Sequence, residues 1–219
     1  MMLRRHDLLR AEPPAWDAML RCHPGLVNLP LVANWALREW PVIVRRRMTG
    51  DIADDVPAAL PLPPVHGKRR LAFSFSSGAA VVVLPPVLLR DAARAAPAAW
   101  QPVVAALLDL SEAVGVTPRV FGALLWEYAT GLPYLTARSD LDLLWSISDE
   151  RSAALLLEGL RRLDAGGPIR LDGEVELPDG AAVNWRELAS QGDEVLVKTM
   201  DGVEVRTKAG LFRTRVALS

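Results

Sequence analysis

The chain has 219 residues, enough for one large domain or two small ones, and its 51% hydrophobic and 23% charged residues exclude a disordered chain. The formal net charge of −1 argues against a nucleic-acid partner, which would call for a more basic surface. A single cysteine, Cys22, excludes an internal disulfide and a cysteine-based zinc site. No apolar run reaches the roughly 18 residues of a membrane span, and the start "MMLRRHDLLR" lacks the apolar core of a signal peptide. The expectation is a cytoplasmic protein with no membrane partner.

Charge is segregated by halves. Residues 1–100 carry 13 Lys/Arg against 8 Asp/Glu, and residues 101–219 carry 12 against 18. This fits an anionic ligand gripped from the N-terminal side and a cation held from the C-terminal side, and a solvated surface would produce it too. Prolines break the first third: "RAEPPAW", "REWPVIVRRRM", "LPLPPVHGKRR" and "VVVLPPVLL" predict short strands separated by rigid turns. Val42–Val44, "RRLAFSF" and "AAVVVL" are the predicted strands of a small, mostly β N-terminal domain, residues 1–93.

A second domain, residues 94–219, opens with the amphipathic helix "PAAWQPVVAALLDLSEAVG", ended by Gly115. A short strand "PRVFG" follows, then an apolar helix "ALLWEYATG", a strand "SDLDLLW", and a helix from about Asp149 to Leu163. "IRLDGEVEL" and "AAVNW" read as a hairpin joined by "PDG", Asn184 and Glu187 as a capping box, and "EVLVKT" and "VEVRTK" as two last strands. The predicted class is α+β, with a mixed sheet and helices in the C-terminal part.

"SDLDLLW" carries the chemistry. Strand side chains alternate, so Asp140 and Asp142 share a face, about 7 Å apart along the pleat. Two neighbouring carboxylates repel, and covering them costs desolvation, so the pair needs a cation or free water. Standing alone, it would be the polar side of an ordinary sheet. In "RLDGEVEL", however, Asp172, Glu174 and Glu176 also share one parity and offer a third carboxylate from an adjacent strand. Three such groups can hold magnesium, which binds a triphosphate and activates a hydroxyl. Upstream, Gly122 stands at a strand-to-helix junction where bare backbone N–H groups can approach phosphate oxygens. A glycine turn, a helix, D-x-D on a strand and a later acidic strand is the layout of polymerase-β-type nucleotidyltransferases.

"RVFGALLWEYATGLPYLTARSDLDLLW", with "LPLPPVHGKRRLAF" before it and "RLDGEVELPDGAAVNWREL" after it, resembles the phosphoribosyl-dephospho-CoA transferases of malonate decarboxylase. The resemblance covers most of the chain. It implies a magnesium enzyme that moves phosphoribosyl-dephospho-CoA from triphosphoribosyl-dephospho-CoA to a serine of the apo acyl carrier protein, releasing diphosphate. It also implies Asp140 and Asp142 as metal ligands, with Glu174 favoured over Asp172 and Glu176 as the third. Where the superfamily has Gly-Ser, this sequence has Gly122-Ala123, so a hydroxyl contact to the triphosphate is missing. Ser139 either supplies that hydroxyl or terminates the strand.

Arg138, just before the acidic strand, is the expected phosphate ligand. Arg45–Arg47 and Lys68, Arg69 and Arg70 are either solvated strand ends or contacts to the donor or carrier. The carboxylates alone leave two other readings open: adenylyl transfer from ATP to a protein or small molecule, and a non-catalytic metal-binding module.

Overall fold

In the computed structural model, which describes residues 3–67 and 69–212, the chain forms two compact units. One is built on the chain up to Pro86 together with Met200–Gly202, the other on the rest of the chain from Val87 onward. The division falls after Pro86 rather than after residue 93, because the intervening segment is already tied into the second unit. Leu89 N–H donates to the Pro118 carbonyl, Val120 N–H to Val87 and Gln101 Nε2 to Ala93, each at 2.9 Å.

The first unit is a five-stranded antiparallel sheet in the order β4-β3-β2-β1-β5. Its strands are β1 (Leu8–Ala11), β2 (Val42–Val44), β3 (Val56–Pro61), β4 (Arg70–Phe75) and β5 (Val81–Leu84). Between β1 and β2 run helix α1 (Pro13–Cys22) and the single turns α2 (Pro24–Val27) and α3 (Pro30–Ala33). The unit is therefore less purely β than the sequence suggests. Pro13, Pro24 and Pro30 open helices instead of only bending strands, since a helix start lacks an N–H partner anyway and proline's φ suits it. Trp16 on α1 packs edge-on to Phe73 of β4, 5.6 Å between centroids, and its indole N–H donates to the Val32 carbonyl at 2.9 Å. A buried ring with its polar atom satisfied gives this sheet its core.

The second unit is α+β as well. It begins with α4 (Leu89–Ala92) and α5 (Gln101–Val114) and continues through β6 (Arg119–Val120), α6 (Gly122–Thr130), β7 (Leu141–Ser146) and α7 (Glu150–Gly166). It then runs through β8 (Leu171–Glu176), β9 (Ala182–Asn184), α8 (Trp185–Leu188), β10 (Glu194–Lys198) and β11 (Val203–Thr207). The sheet order is β11-β10-β9-β8-β7-β6, mixed because β7 and β8 pair parallel while the other described pairs are antiparallel. A parallel pair needs a crossover, and α7 supplies it, capped by Asp149, whose carboxylate accepts from Ser152 N–H at 2.8 Å.

Leu141, Leu143 and Trp145 of β7 are buried with Leu171 and Val175 of β8. Alternation therefore turns Asp142 and Asp172 to the opposite face. Gly159 lets α7 approach α5 closely: a Cβ there would lie 2.4 Å from a Leu110 methyl. Asn184 caps α8 through Arg186 N–H, but Glu187 does not close the expected box, because its carboxylate accepts from Leu196 N–H at 2.6 Å instead.

Candidate metal centre and phosphate groove

The register of one strand pair decides which carboxylates meet. β7 and β8 run in parallel with Asp142 beside Asp172, Leu144 beside Glu174 and Ser146 beside Glu176. Asp140 stands just before β7, and Leu141 N–H, donating to the Arg170 carbonyl at 3.0 Å, fixes the chain beside it. As a result Asp140, Asp142 and Asp172 each offer an oxygen within 4.8 Å of the others, all three half-buried. Hard carboxylate oxygens at this spacing suit a magnesium-type cation.

Glu174, expected as the third ligand, is not in this group. It lies one pleat further along β8, is 4% exposed, and its carboxylate accepts from Lys198 Nζ at 2.7 Å. Glu176 is taken up in the same way by Arg119 and by the Ser146 hydroxyl, each at 2.6 Å. Of the three acids on that face of β8, Asp172 is the one grouped with Asp140 and Asp142.

Asp172 is held by its own strand and by the next. Its Oδ1 accepts from Gly173 N–H at 2.8 Å and from Asn184 Nδ2 at 3.0 Å. Gly173 has φ +137°, and a Cβ there would come 1.9 Å from the Leu143 carbonyl oxygen, so only glycine lets β8 lie this close to β7. Behind it, Arg186 forks onto Asp164 at 2.6 and 2.7 Å and donates to the Leu171 carbonyl at 2.7 Å. The guanidinium holds the Asp164 carboxyl below its ordinary range. Asp164 in turn accepts from Leu171 N–H at 2.9 Å, which braces the start of β8.

Gly122 has a part that the sequence did not show. Its φ is +65°, and a Cβ placed on it would fall 1.8 Å from Asp142 Oδ2, so the missing side chain is the space the aspartate fills at the start of α6. Ala123 follows in the first turn, half-buried, with a methyl and no hydroxyl to offer. The loop to Asp140 is tied back to α6 by Glu127, whose carboxylate accepts from Tyr134 N–H at 3.0 Å and Leu135 N–H at 2.7 Å. The Ser139 hydroxyl accepts from Thr136 N–H at 3.0 Å and so helps to form the turn.

Arg138 and Ser139 line a groove of about 610 Å³ with Trp100, Leu135, Ile169 and Arg170. Arg69 and Arg70 are exposed at β4, an edge strand of the first unit, and Lys68 lies outside the described residues. Arg45 is no free cation: it forks onto Asp51 at 2.6 and 2.7 Å and donates to the Ala58 and Phe73 carbonyls. Tyr134 and Trp145 are buried as core residues.

The family models match both units. Residues 88–209 match the phosphoribosyl-dephospho-CoA transferase MdcG C-terminal domain, and residues 4–86 its N-terminal domain. The chain belongs to the phosphoribosyl-dephospho-CoA transferase family. A relative in Bradyrhizobium diazoefficiens named phosphoribosyl-dephospho-CoA transferase is 39% identical over 91% of this chain and 88% of its own. Relatives of the same name in Xanthomonas campestris pv. campestris and Xanthomonas euvesicatoria pv. vesicatoria are 37% and 36% identical, each over 99% of this chain and 100% of their own. No solved structure matches. Among the described residues no helix is long and apolar enough to cross a membrane.

In this transferase family member, Arg170 and Asn184 are neighbours of the carboxylate cluster that the sequence did not point to, and Asp172 is the acid it did not favour. Asp172 was one of three acids with the same parity, and only strand register separates them. Arg170 carried no motif of its own, and Asn184 was legible only as a helix cap.

Proposed function

We propose that this transferase moves the phosphoribosyl-dephospho-CoA group from triphosphoribosyl-dephospho-CoA to a serine of an apo acyl carrier protein, that of malonate decarboxylase, in the cytoplasm. Diphosphate leaves, and magnesium is held by Asp140, Asp142 and Asp172. The observation that carries this reading is the meeting of those three carboxylates in a chain that matches the family along both units. Glu174, already neutralised by Lys198, is withdrawn from the ligand set.

A divalent cation bound there supplies charge neutralisation for the triphosphate and acidifies the attacking hydroxyl. The chain's own residues do the placing. Gly173 N–H and Asn184 fix one oxygen of Asp172, and the other, which accepts from Arg170 at 3.3 Å, is the one that would meet the cation. Gly122 makes room for Asp142, while Arg138 and Ser139 offer a charge and a polar edge to phosphate oxygens along the groove. The serine oxygen gives up its proton to solvent and bonds to the innermost phosphorus as the bond to diphosphate breaks. The second unit contains no histidine, since His6, His23 and His66 all precede it, and the scheme calls on none.

The test is the choice of donor. With magnesium and apo carrier protein, triphosphoribosyl-dephospho-CoA should add the mass of the phosphoribosyl-dephospho-CoA group to the carrier, and ATP should add nothing. Labelling from ATP, with the dephospho-CoA donor inert, overturns the reading in favour of adenylyl transfer.

A further inference from the structure

Arg170 immediately precedes β8, and its guanidinium faces two of the three clustered carboxylates. Nη1 lies 3.9 Å from Asp140 Oδ2 and Nη2 lies 3.3 Å from Asp172 Oδ2. The other acids on that face of β8 have tighter partners: Lys198 meets Glu174 at 2.7 Å and Arg119 meets Glu176 at 2.6 Å. Arg170 is also the more exposed cation, its side chain 61% accessible against 38% for Lys198 and 18% for Arg119. A loose, exposed ion pair has little to lose when its cation turns toward another anion. The same side chain forms part of the wall of the groove that Arg138 and Ser139 line. Arg170 therefore stands between the carboxylate cluster and the place where phosphates would lie.

We infer that Arg170 is a positioning residue with two anionic partners: it competes with the divalent cation for Asp140 and Asp172, and it presents its fork to the triphosphate of the donor. This rests on the reading of Asp140, Asp142 and Asp172 as the cation site, and deepens it by assigning the triphosphate to the groove of Arg138 and Arg170. Three carboxylates within 4.8 Å carry three negative charges, and one guanidinium beside them lowers their pull on a cation. When a phosphate-bearing donor arrives with its own cation, the guanidinium is offered a bidentate anion in place of two long, single contacts. Metal affinity is thereby kept moderate in the free protein and donor binding is strengthened in the complex.

Manganese binding, followed by the loss of the free-ion resonance signal, reads the first half of the inference without any turnover. Arg170→Ala should bind manganese about threefold or more tightly than the unsubstituted protein, because a competing positive charge has gone. Its KM for triphosphoribosyl-dephospho-CoA should rise about tenfold with kcat changed far less. Arg170→Lys should restore manganese affinity and only part of the KM, since it keeps the charge and loses the fork. Arg170→Gln serves as a second charge-removing variant, with thermal melting as the check on folding, and Arg162→Ala on the exposed side of α7 as the control. Manganese affinity unchanged or weakened in the Ala and Gln variants, or an unchanged donor KM, overturns the inference. The two levels of failure are distinguishable. If Asp142→Asn binds manganese as well as the unsubstituted protein does, the cation site itself falls. If Asp142→Asn loses manganese while the Arg170 variants match the unsubstituted protein, only the role of Arg170 falls.

Discussion

Replacing Gly122 by alanine should separate the backbone requirement at the start of α6 from the space that Asp142 needs. The substitution does two things. It places an L side chain at φ +65°, which costs about 1–2 kcal/mol. It also sets a Cβ 1.8 Å from Asp142 Oδ2, 2.6 Å from its Cγ and 3.0 Å from its Cβ. Ordinary contact begins near 3.4 Å, so the carboxylate oxygen must retreat by about 1.6 Å, the difference between 3.4 and 1.8. Asp142 is short, so such a retreat displaces its whole carboxylate from its present place beside Asp140 and Asp172. A misplacement of about 1 Å at a reacting centre costs on the order of 100-fold in rate, or about 2.7 kcal/mol, and at least that loss in kcat/KM is expected. Gly115 is the matched control: φ +73°, with nothing within 4 Å of an added Cβ. Gly115→Ala should show the same stability loss of about 1–2 kcal/mol by denaturant titration, with transfer activity kept. Carrier modification followed by intact mass, alongside manganese binding, reads both variants. Wild-type transfer and metal affinity in Gly122→Ala would refute the close approach of Asp142 to this glycine.

Asp172→Ala should abolish transfer while Glu174→Ala retains it. The Glu174 change should appear instead as a stability loss of about 1–2 kcal/mol from leaving Lys198 without its carboxylate, measured by denaturant titration. In the first unit the Arg45 fork holds the Asp51 carboxyl at about 2 against an ordinary 3.8. A depressed carboxyl stabilises the fold above its unfolded value and loses that contribution as pH falls through the folded one. Thermal melts of the wild type should therefore drop between about pH 4 and pH 2, and Asp51→Asn should start lower at neutral pH, by about 2 kcal/mol, and show a shallower acid limb. Arg69→Ala with Arg70→Ala should raise KM for donor or carrier more than it lowers kcat, and should weaken the dependence of binding on salt, as read by initial rates across an ionic-strength series.

Much of this was legible in the sequence because it was local. Gly115, Asp149 and Asn184 are helix boundary signals that need only a few neighbouring residues, and α5, α7 and α8 end or begin at them. The aspartates at 140 and 142 were legible because alternation along one strand is also local. The third carboxylate was not, because Asp172, Glu174 and Glu176 share one parity and only pairing with β7 distinguishes them. The same holds for Lys198, which reaches Glu174 from β10 and so removes it from the cluster. In the first unit, "VPAALP" was hidden by its prolines, which argue against an interior strand. Of β3, only Ala58 and Ala59 pair with β2, so Pro57 and Pro61 stand outside that ladder and the missing N–H groups disrupt nothing there. The segment opening at Pro13 was read as a turn because proline signals both turns and helix starts, and the sequence around it does not decide between them.

The central claim, that Asp140, Asp142 and Asp172 are the metal-dependent centre of group transfer, is tested most directly by intact mass of the apo carrier protein after incubation with triphosphoribosyl-dephospho-CoA. The measurement compares the unsubstituted enzyme with Asp142→Asn, each with magnesium and with a chelator. The account predicts modified carrier only for the unsubstituted enzyme with magnesium, while Asp142→Asn melts at or slightly above the unsubstituted protein because a like-charge repulsion has been removed. Modified carrier from a folded Asp142→Asn at the unsubstituted rate, or equal modification in the presence of the chelator, would contradict it.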